Sequence, residues 1–117
     1  MAKAKQITVQ VENTPGAAAR VARVLGDAKV NLLALVGTGQ GAQGTLHIVA
    51  DNANKAKKAL GQAAIAFSEN MVEQVELPNS PGALAKHLEK LAAKGTNLSL
   101  IYASTAKGAR KATVVLG

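Results

Sequence analysis

The chain matches itself. Sliding its 117 residues by an offset of 66 gives an ungapped register: Val9 on Val75, Asn13 on Asn79, Pro15 on Pro81, Gly16 on Gly82 and Ala17 on Ala83. The match continues through Ala19 and Ala85, Leu25 and Leu91, Asn31 and Asn97, and Leu32 and Leu98. Thr14 and Ser80, and Arg20 and Lys86, are conservative pairs, and Ile48-Val49 falls on Val114-Val115. An alanine-rich composition does not produce so long a register; this is a duplication, and it confines the chain to two small units of one design.

Each copy reads as strand, helix, strand, strand. In "QITVQVE", Ile7, Val9 and Val11 alternate with polar neighbours, the period of a half-buried strand. Thr14-Pro15-Gly16 then offers a hydroxyl N-cap and a proline at the first helical position. Apolar residues at Ala17, Val21, Val24, Leu25 and Ala28 keep helical spacing. "NLLALVG" and "TLHIVA" read as two strands joined by the glycine-rich turn "GTGQGAQG", an antiparallel hairpin. Asp51 or Asn52 can cap a second helix with apolar positions Ala53, Ala56, Ala59 and Leu60. Residues near Ala66 to Asn70 form a fourth strand running on into "MVEQVEL".

The first copy, residues 1–70, is therefore a complete βαββαβ unit: an α+β, ferredoxin-like arrangement with a four-stranded antiparallel sheet covered on one face by two helices. The second copy, residues 71–117, repeats the strand, a helix from about Gly82 to Lys94, then "NLSLIYA" and "KATVVL". It is a partial βαββ copy whose second helix and fourth strand would, by the same offset, lie beyond Gly117, so either the chain is cut short of them or another strand completes the sheet. An unpaired sheet edge is an association surface.

Composition narrows the function. Aromatic residues make up only 2% of the chain, Phe67 and Tyr102, against 48% hydrophobic residues that are largely alanine. Alanine buries little area, so the core is thin and burial against a partner chain, as in a homo-oligomeric dimer, is expected. The absence of cysteine excludes disulfides, a thiolate nucleophile and cysteine-ligated metal. His47 and His87 have no spaced partners, which leaves no metal site and no catalytic triad, and the seven carboxylates are scattered. No cofactor is implied and no enzyme is expected. The opening residues lack the apolar core of a signal peptide, and no apolar run suits a membrane span, so the expected location is cytoplasmic.

At the repeated N-[TS]-P-G-A segment, followed by an amphipathic helix and an "NL" that opens the next strand, the chain resembles the ACT domain over its whole length, in one full and one partial copy. That resemblance implies a regulatory module that binds a small molecule, most often an amino acid, where domains meet. In the family's serine-binding branch, an Asn before Pro-Gly and the Asn opening the second strand of a neighbouring domain hold the ligand. The matching positions are Asn13 and Asn79 in the first role and Asn31 and Asn97 in the second, with Thr14, Gly16, Ser80 and Gly82 in the same loops. That branch carries a histidine two residues before the loop Asn; here Val11 and Leu77 stand there.

The residue chemistry runs the same way. A helix N-terminus offers N–H groups and a positive dipole end to a carboxylate, and an Asn amide both donates and accepts. The expected pairing is Asn13 with Asn97 across one interface and Asn79 with Asn31 across another. The same residues also suit an ordinary helix start, Asx turns and a helix-to-strand turn. Two other functions are open: an oligomerisation module without ligand, and a basic nucleic-acid-binding domain on the same sheet. The net charge of +7 speaks for the second, while the want of stacking aromatics speaks against it. The loop "GTGQGAQG" has no terminal Lys-Ser/Thr and no following helix, so it reads as a flexible hairpin tip rather than a phosphate loop.

Overall fold

In the computed structural model, which describes residues 2–117, the elements follow the order expected from the repeat. They are β1 (Ala2–Glu12), α1 (Ala17–Asp27), β2 (Leu32–Gln40), β3 (Gln43–Ala50), α2 (Ala53–Gln62), β4 (Phe67–Pro78), α3 (Ala83–Ala93), β5 (Ile101–Ser104) and β6 (Lys111–Leu116). Two compact units divide the chain: Lys5–Met71, and Val72–Gly117 together with the N-terminal residues up to Ala4. The division falls inside β4, whose strand geometry is unbroken.

In the first unit the strand order is β2-β3-β1-β4. The β1–β3 ladder runs antiparallel from Gln6 opposite Val49 to Glu12 opposite Gln43. The alternation read from the sequence puts Ile7 and Val9 inward, with Val11 packed at the margin. Val21 and Leu25 of α1 meet Ala56, Ala59 and Leu60 of α2 above Leu46 and Ile48, all buried in one cluster. Val24 and Ala28 pack against it. The helix face predicted from periodicity is the face that is covered.

The opposite face of this sheet is tied by side chains. Thr8 Oγ1 lies 3.0 Å from His47 Nδ1, Thr45 Oγ1 donates to Gln10 Oε1 at 3.1 Å, and the buried Gln6 amide donates to Asn70 Oδ1 at 3.5 Å. On the helix side, the Lys57 ammonium lies 2.9 Å from Glu69 Oε2. Its hydrogen bond holds the Glu69 carboxyl below the ordinary 4.5, with Lys5 adding to the field. A depressed carboxyl stabilises the fold above its unfolded pKa, and the contribution is lost as pH falls through the folded value. A carboxyl-resolved NMR titration is expected to place the Glu69 midpoint below 4.5 and to move it upward in Lys57→Gln; an unchanged midpoint in the variant would assign the shift elsewhere.

In the second unit the order is β1-β4-β6-β5, with only the first residues of β1 belonging to it. The place beside β4 that a fourth strand of this copy would take is held by the start of β1. The core here is smaller: Leu91, Val114 and Leu116, with Val75, Leu77, Leu88 and Leu98 packed against it. His87 stands where α1 has buried Val21, and its Nε2 is buried with no hydrogen-bond partner among the described residues.

Three expectations need correction. Thr14 and Ser80 do not cap helices. Gly16 lies at φ 87, ψ −10 and Gly82 at φ 84, ψ −10, with no side-chain cap at either helix start. Ala17 N donates to Thr14 O and Ala83 N to Ser80 O, each at 3.3 Å. Proline second and a positive-φ glycine third make a type II turn, so Pro-Gly recurs because that turn requires it, not because proline opens the helix.

The glycine-rich segment is no loose tip either. Both strands run through it, and only Gly41 and Ala42 remain as a two-residue turn, with Gly41 at φ 61. Gly44 is glycine because a Cβ there would lie 3.1 Å from a Val11 methyl and 3.3 Å from the Thr38 carbonyl. Finally, "NLSLIYA" is a strand only from Ile101, because the backbone of Ser99 and Leu100 is bonded to Gly117 instead. Of the two possible caps of α2, Asn52 is the one used: its Oδ1 accepts from Lys55 N at 3.1 Å.

Candidate ligand-binding site

The turn at Pro15-Gly16 aims the start of α1 at a recess of about 490 Å3 in the first unit. Glu12, Thr14, Pro15, Gly16 and Arg20 line one wall, and the α2–β4 connection at Ala64–Ala66 lines the other. No side chain caps α1, so its start, at Gly16 and Ala17 in the lining, brings the positive end of the helix dipole to this recess. Arg20, one turn into the helix, is anchored by a 3.1 Å bond from its Nη2 to Ala63 O. The guanidinium has further N–H donors beyond that bond. A carboxylate therefore meets a cation and the positive end of a helix in one place.

Asn13 closes the same loop against the β2–β3 hairpin. Its backbone N–H donates to Ala42 O and its Nδ2 to Gly41 O, both at 2.9 Å. This leaves one amide hydrogen and Oδ1 for a ligand. The close approach is possible because Gly39 has no side chain: a Cβ there would lie 2.8 Å from Asn13 Oδ1 and 2.9 Å from Nδ2.

Asn79 repeats the arrangement in the second unit, with its backbone N–H on Arg110 O at 2.9 Å. Its Nδ2 donates twice, to Ala109 O at 2.9 Å and Ala106 O at 3.3 Å, which leaves Oδ1 alone. Ser80 and Gly82 keep the turn, and Lys86 occupies the place of Arg20. The second unit has no counterpart of the Ala64–Ala66 wall among the described residues.

Asn31 sits at the opposite end of β2. Its N–H donates to Asp51 Oδ1 at 3.0 Å and its carbonyl accepts from Asp51 N at 2.9 Å, while its side chain is exposed and makes no hydrogen bond among the described residues. From Asn31 to Gly39, where Asn13 lies, the strand covers roughly 26 Å at 3.3 Å per residue. One small molecule cannot touch Asn13 and Asn31 of the same unit. Asn97 is likewise exposed, four residues ahead of β5.

The recess therefore brings together Thr14 and Gly16, while Asn13 is turned to the hairpin beside it and Asn31 lies apart. Sequence reasoning passed over Arg20 and Ala64–Ala66. Arg20 had a legible signal, a cation kept in register with Lys86 one helical turn after the glycine. The alanines had none, because small residues mark no chemistry until the fold sets them across a gap. Of the two aromatics, Phe67 packs against the core and Tyr102 is half-buried, its phenol pushed up to about 12 by burial. Among the described residues, no helix is long and apolar enough to cross a membrane, and no group of three or more His, Asp and Glu gathers to hold a metal ion.

The same architecture is known. A Bacteroides thetaiotaomicron protein of solved structure is 33% identical over 98% of this chain and 78% of its own, with a TM-score of 0.91. The regulatory subunit of aspartate kinase from Thermus thermophilus superposes with a TM-score of 0.74 at 19% identity, over 99% of this chain and 87% of that one. Its Thermus flavus counterpart gives 0.64 at 20% identity, over 97% and 82%. Among curated proteins none matches this chain. The family described as the ACT domain pair matches residues 2–115. With both copies inside that match, the chain belongs to the ACT domain pair family.

Proposed function

We propose that this chain is a regulatory module that binds an amino acid in the recess beside α1 and reports occupancy to a partner or to its own assembly. The observation that carries the reading is the recess itself: an uncapped helix start with Glu12 and Arg20 in its lining, and Asn13, in the loop beside it, with its Oδ1 left over. A carboxylate suits the helix start and Arg20; an ammonium group suits Asn13 Oδ1 and Glu12. The two charges of a zwitterion thus find separate partners within one small volume, and a dry, apolar ligand does not.

The second amide, Asn31 or Asn97, comes from a neighbouring unit, since Asn31 lies a strand's length from Asn13 within its own. Thr14 and Gly16 shape the turn, and Asn79, Ser80 and Gly82 form the weaker counterpart. The likeness to aspartate kinase regulatory subunits, at 19–20% identity, supports the fold on which this reading stands.

Isothermal calorimetry against the common amino acids tests it. At least one is expected to bind, with affinity reduced about tenfold or more in Asn13→Ala and in Arg20→Ala, the loss of one charge-assisted or amide bond. Silence across the whole panel would leave the fold and remove the function.

A further inference from the structure

Helices α1 and α3 are counterparts at the 66-residue offset, and each follows a positive-φ glycine. In the first unit one flank of α1 is covered by α2, which runs antiparallel to it. Arg20, near the start of α1, donates to Ala63 O at the end of α2 at 3.1 Å. Lys55, near the start of α2, donates to Lys29 O just past the end of α1 at 3.4 Å. Between these two ties Val24 and Ala28 pack against the cluster that α2 joins through Ala56, Ala59 and Leu60.

On α3 the same flank is cationic. Lys86 stands in the place of Arg20, Lys90 in that of Val24 and Lys94 in that of Ala28. Spacing of four keeps the three on one side of the helix, about 6 Å apart along its axis. All are exposed, and none has an ion pair among the described residues. The strand beside them has drifted too: Glu73 takes the place of buried Ile7, and Val75, the counterpart of buried Val9, is only half-buried. An apolar flank needs permanent cover, whereas lysines are solvated when nothing lies on them. This surface is stable both occupied and vacant, which suits an occupant that comes and goes.

We propose that this flank of α3 docks an amphipathic helix of a partner protein, acidic along the side that meets the lysines. The first unit sets its direction. Lying antiparallel to α3, it brings its last carbonyls to Lys86, as α2 brings Ala63 O to Arg20, and carboxylates in its first two turns face Lys94 and Lys90. Acidic side chains near a helix start and a cation at its end also suit the helix dipole. A helix with the charges of α2 is disfavoured, because its Lys55, which reaches Lys29 in the first unit, would arrive beside Lys94 and Gly95. Single-stranded nucleic acid also seeks lysines, but it binds on stacked aromatics, and α3 has no Phe, Tyr or Trp. The docking is independent of amino-acid binding in the first unit.

The probe is a synthetic peptide of residues 51–64 carrying Lys55→Glu and Ala59→Glu. Ala59 shares a recess with Val24 and Ala28, so these two carboxylates fall opposite Lys94 and Lys90. Titrated into the 15N-labelled full chain, the peptide is expected to shift the amides of Lys86, Lys90, Lys94 and Val75, and the unsubstituted peptide to bind at least about tenfold more weakly. The chain variant Lys90→Glu with Lys94→Glu, folded by circular dichroism, is expected to reverse that preference. No shift with the acidic peptide, shifts centred instead on Lys107 and Arg110, or an undiminished affinity in the double variant would overturn the proposal. A mixed-sequence RNA oligonucleotide that moves the same amides at lower concentration than the peptide would overturn it as well, and would assign the lysines to nucleic acid.

Discussion

Leu25→Ala is expected to destabilise the protein by about 2–5 kcal/mol, measured by urea denaturation followed by far-UV circular dichroism. Leu25 is 1% exposed, directed from α1 into the cluster that joins both helices to the sheet. Removing its branch leaves a cavity in the cluster it shares with Val21, Leu60 and Ile48. Its carbonyl also accepts from Val30 N at 3.0 Å, so the helix end and the core are set by one residue. Small domains have about 5–15 kcal/mol of stability in total, so this one change consumes a large share.

The same substitution one repeat later, Leu91→Ala, is expected to cost less. Leu91 is 8% exposed in a cluster of three buried residues, beneath a helix with no second helix beside it among the described residues. The second unit has more freedom to relax into the gap. Equal losses at positions 25 and 91 would show that the two cores are equally constrained, contrary to their packing.

Gly39→Ala is expected to uncouple the ligand site from the sheet. The new methyl would fall 2.8 Å from Asn13 Oδ1, 2.9 Å from Nδ2 and 3.0 Å from Cγ. The whole amide has to swing away, and its bond to Gly41 O goes with it. Stability is expected to fall by about 1–2 kcal/mol, a hydrogen bond and some packing. Amino-acid affinity is expected to fall at least about tenfold, as in Asn13→Ala. A double variant, Gly39→Ala with Asn13→Ala, should show affinity no worse than either alone, because both changes remove the same group. Additive losses would mean that Gly39 acts on the ligand by another route.

The repeat now has a physical content that differs between its parts. Pro-Gly recurs because both copies need a type II turn, and the positive φ of its third residue is nearly free only for glycine. Asn13 and Asn79 recur because each ties its turn to the tip of its own hairpin. Both are structural needs, and both leave atoms over for a ligand. The drifted positions are those whose neighbours differ. Val24 and Ala28 pack against the cluster shared with α2, whereas Lys90 and Lys94 are exposed on a helix without such a neighbour.

Element order, the covered helix face and the inward residues of β1 were all legible in the residues. These depend on local period, and period survives in a linear string. The duplication made that reading firm, since two copies must satisfy one pattern. What the string could not show were relations between distant segments. It could not show that Ala64–Ala66 wall a recess with Arg20, or that Asn31 lies a strand's length from Asn13 while both belong to one unit. Nor could it show that the first residues of β1 take the open place beside β4. Each of these is set by strand order and by helices packing over a sheet, where segments meet because burial and ladder hydrogen bonds bring them together and not because their sequences mark one another. Local chemistry wrote the elements, and only their tertiary arrangement made a site of them.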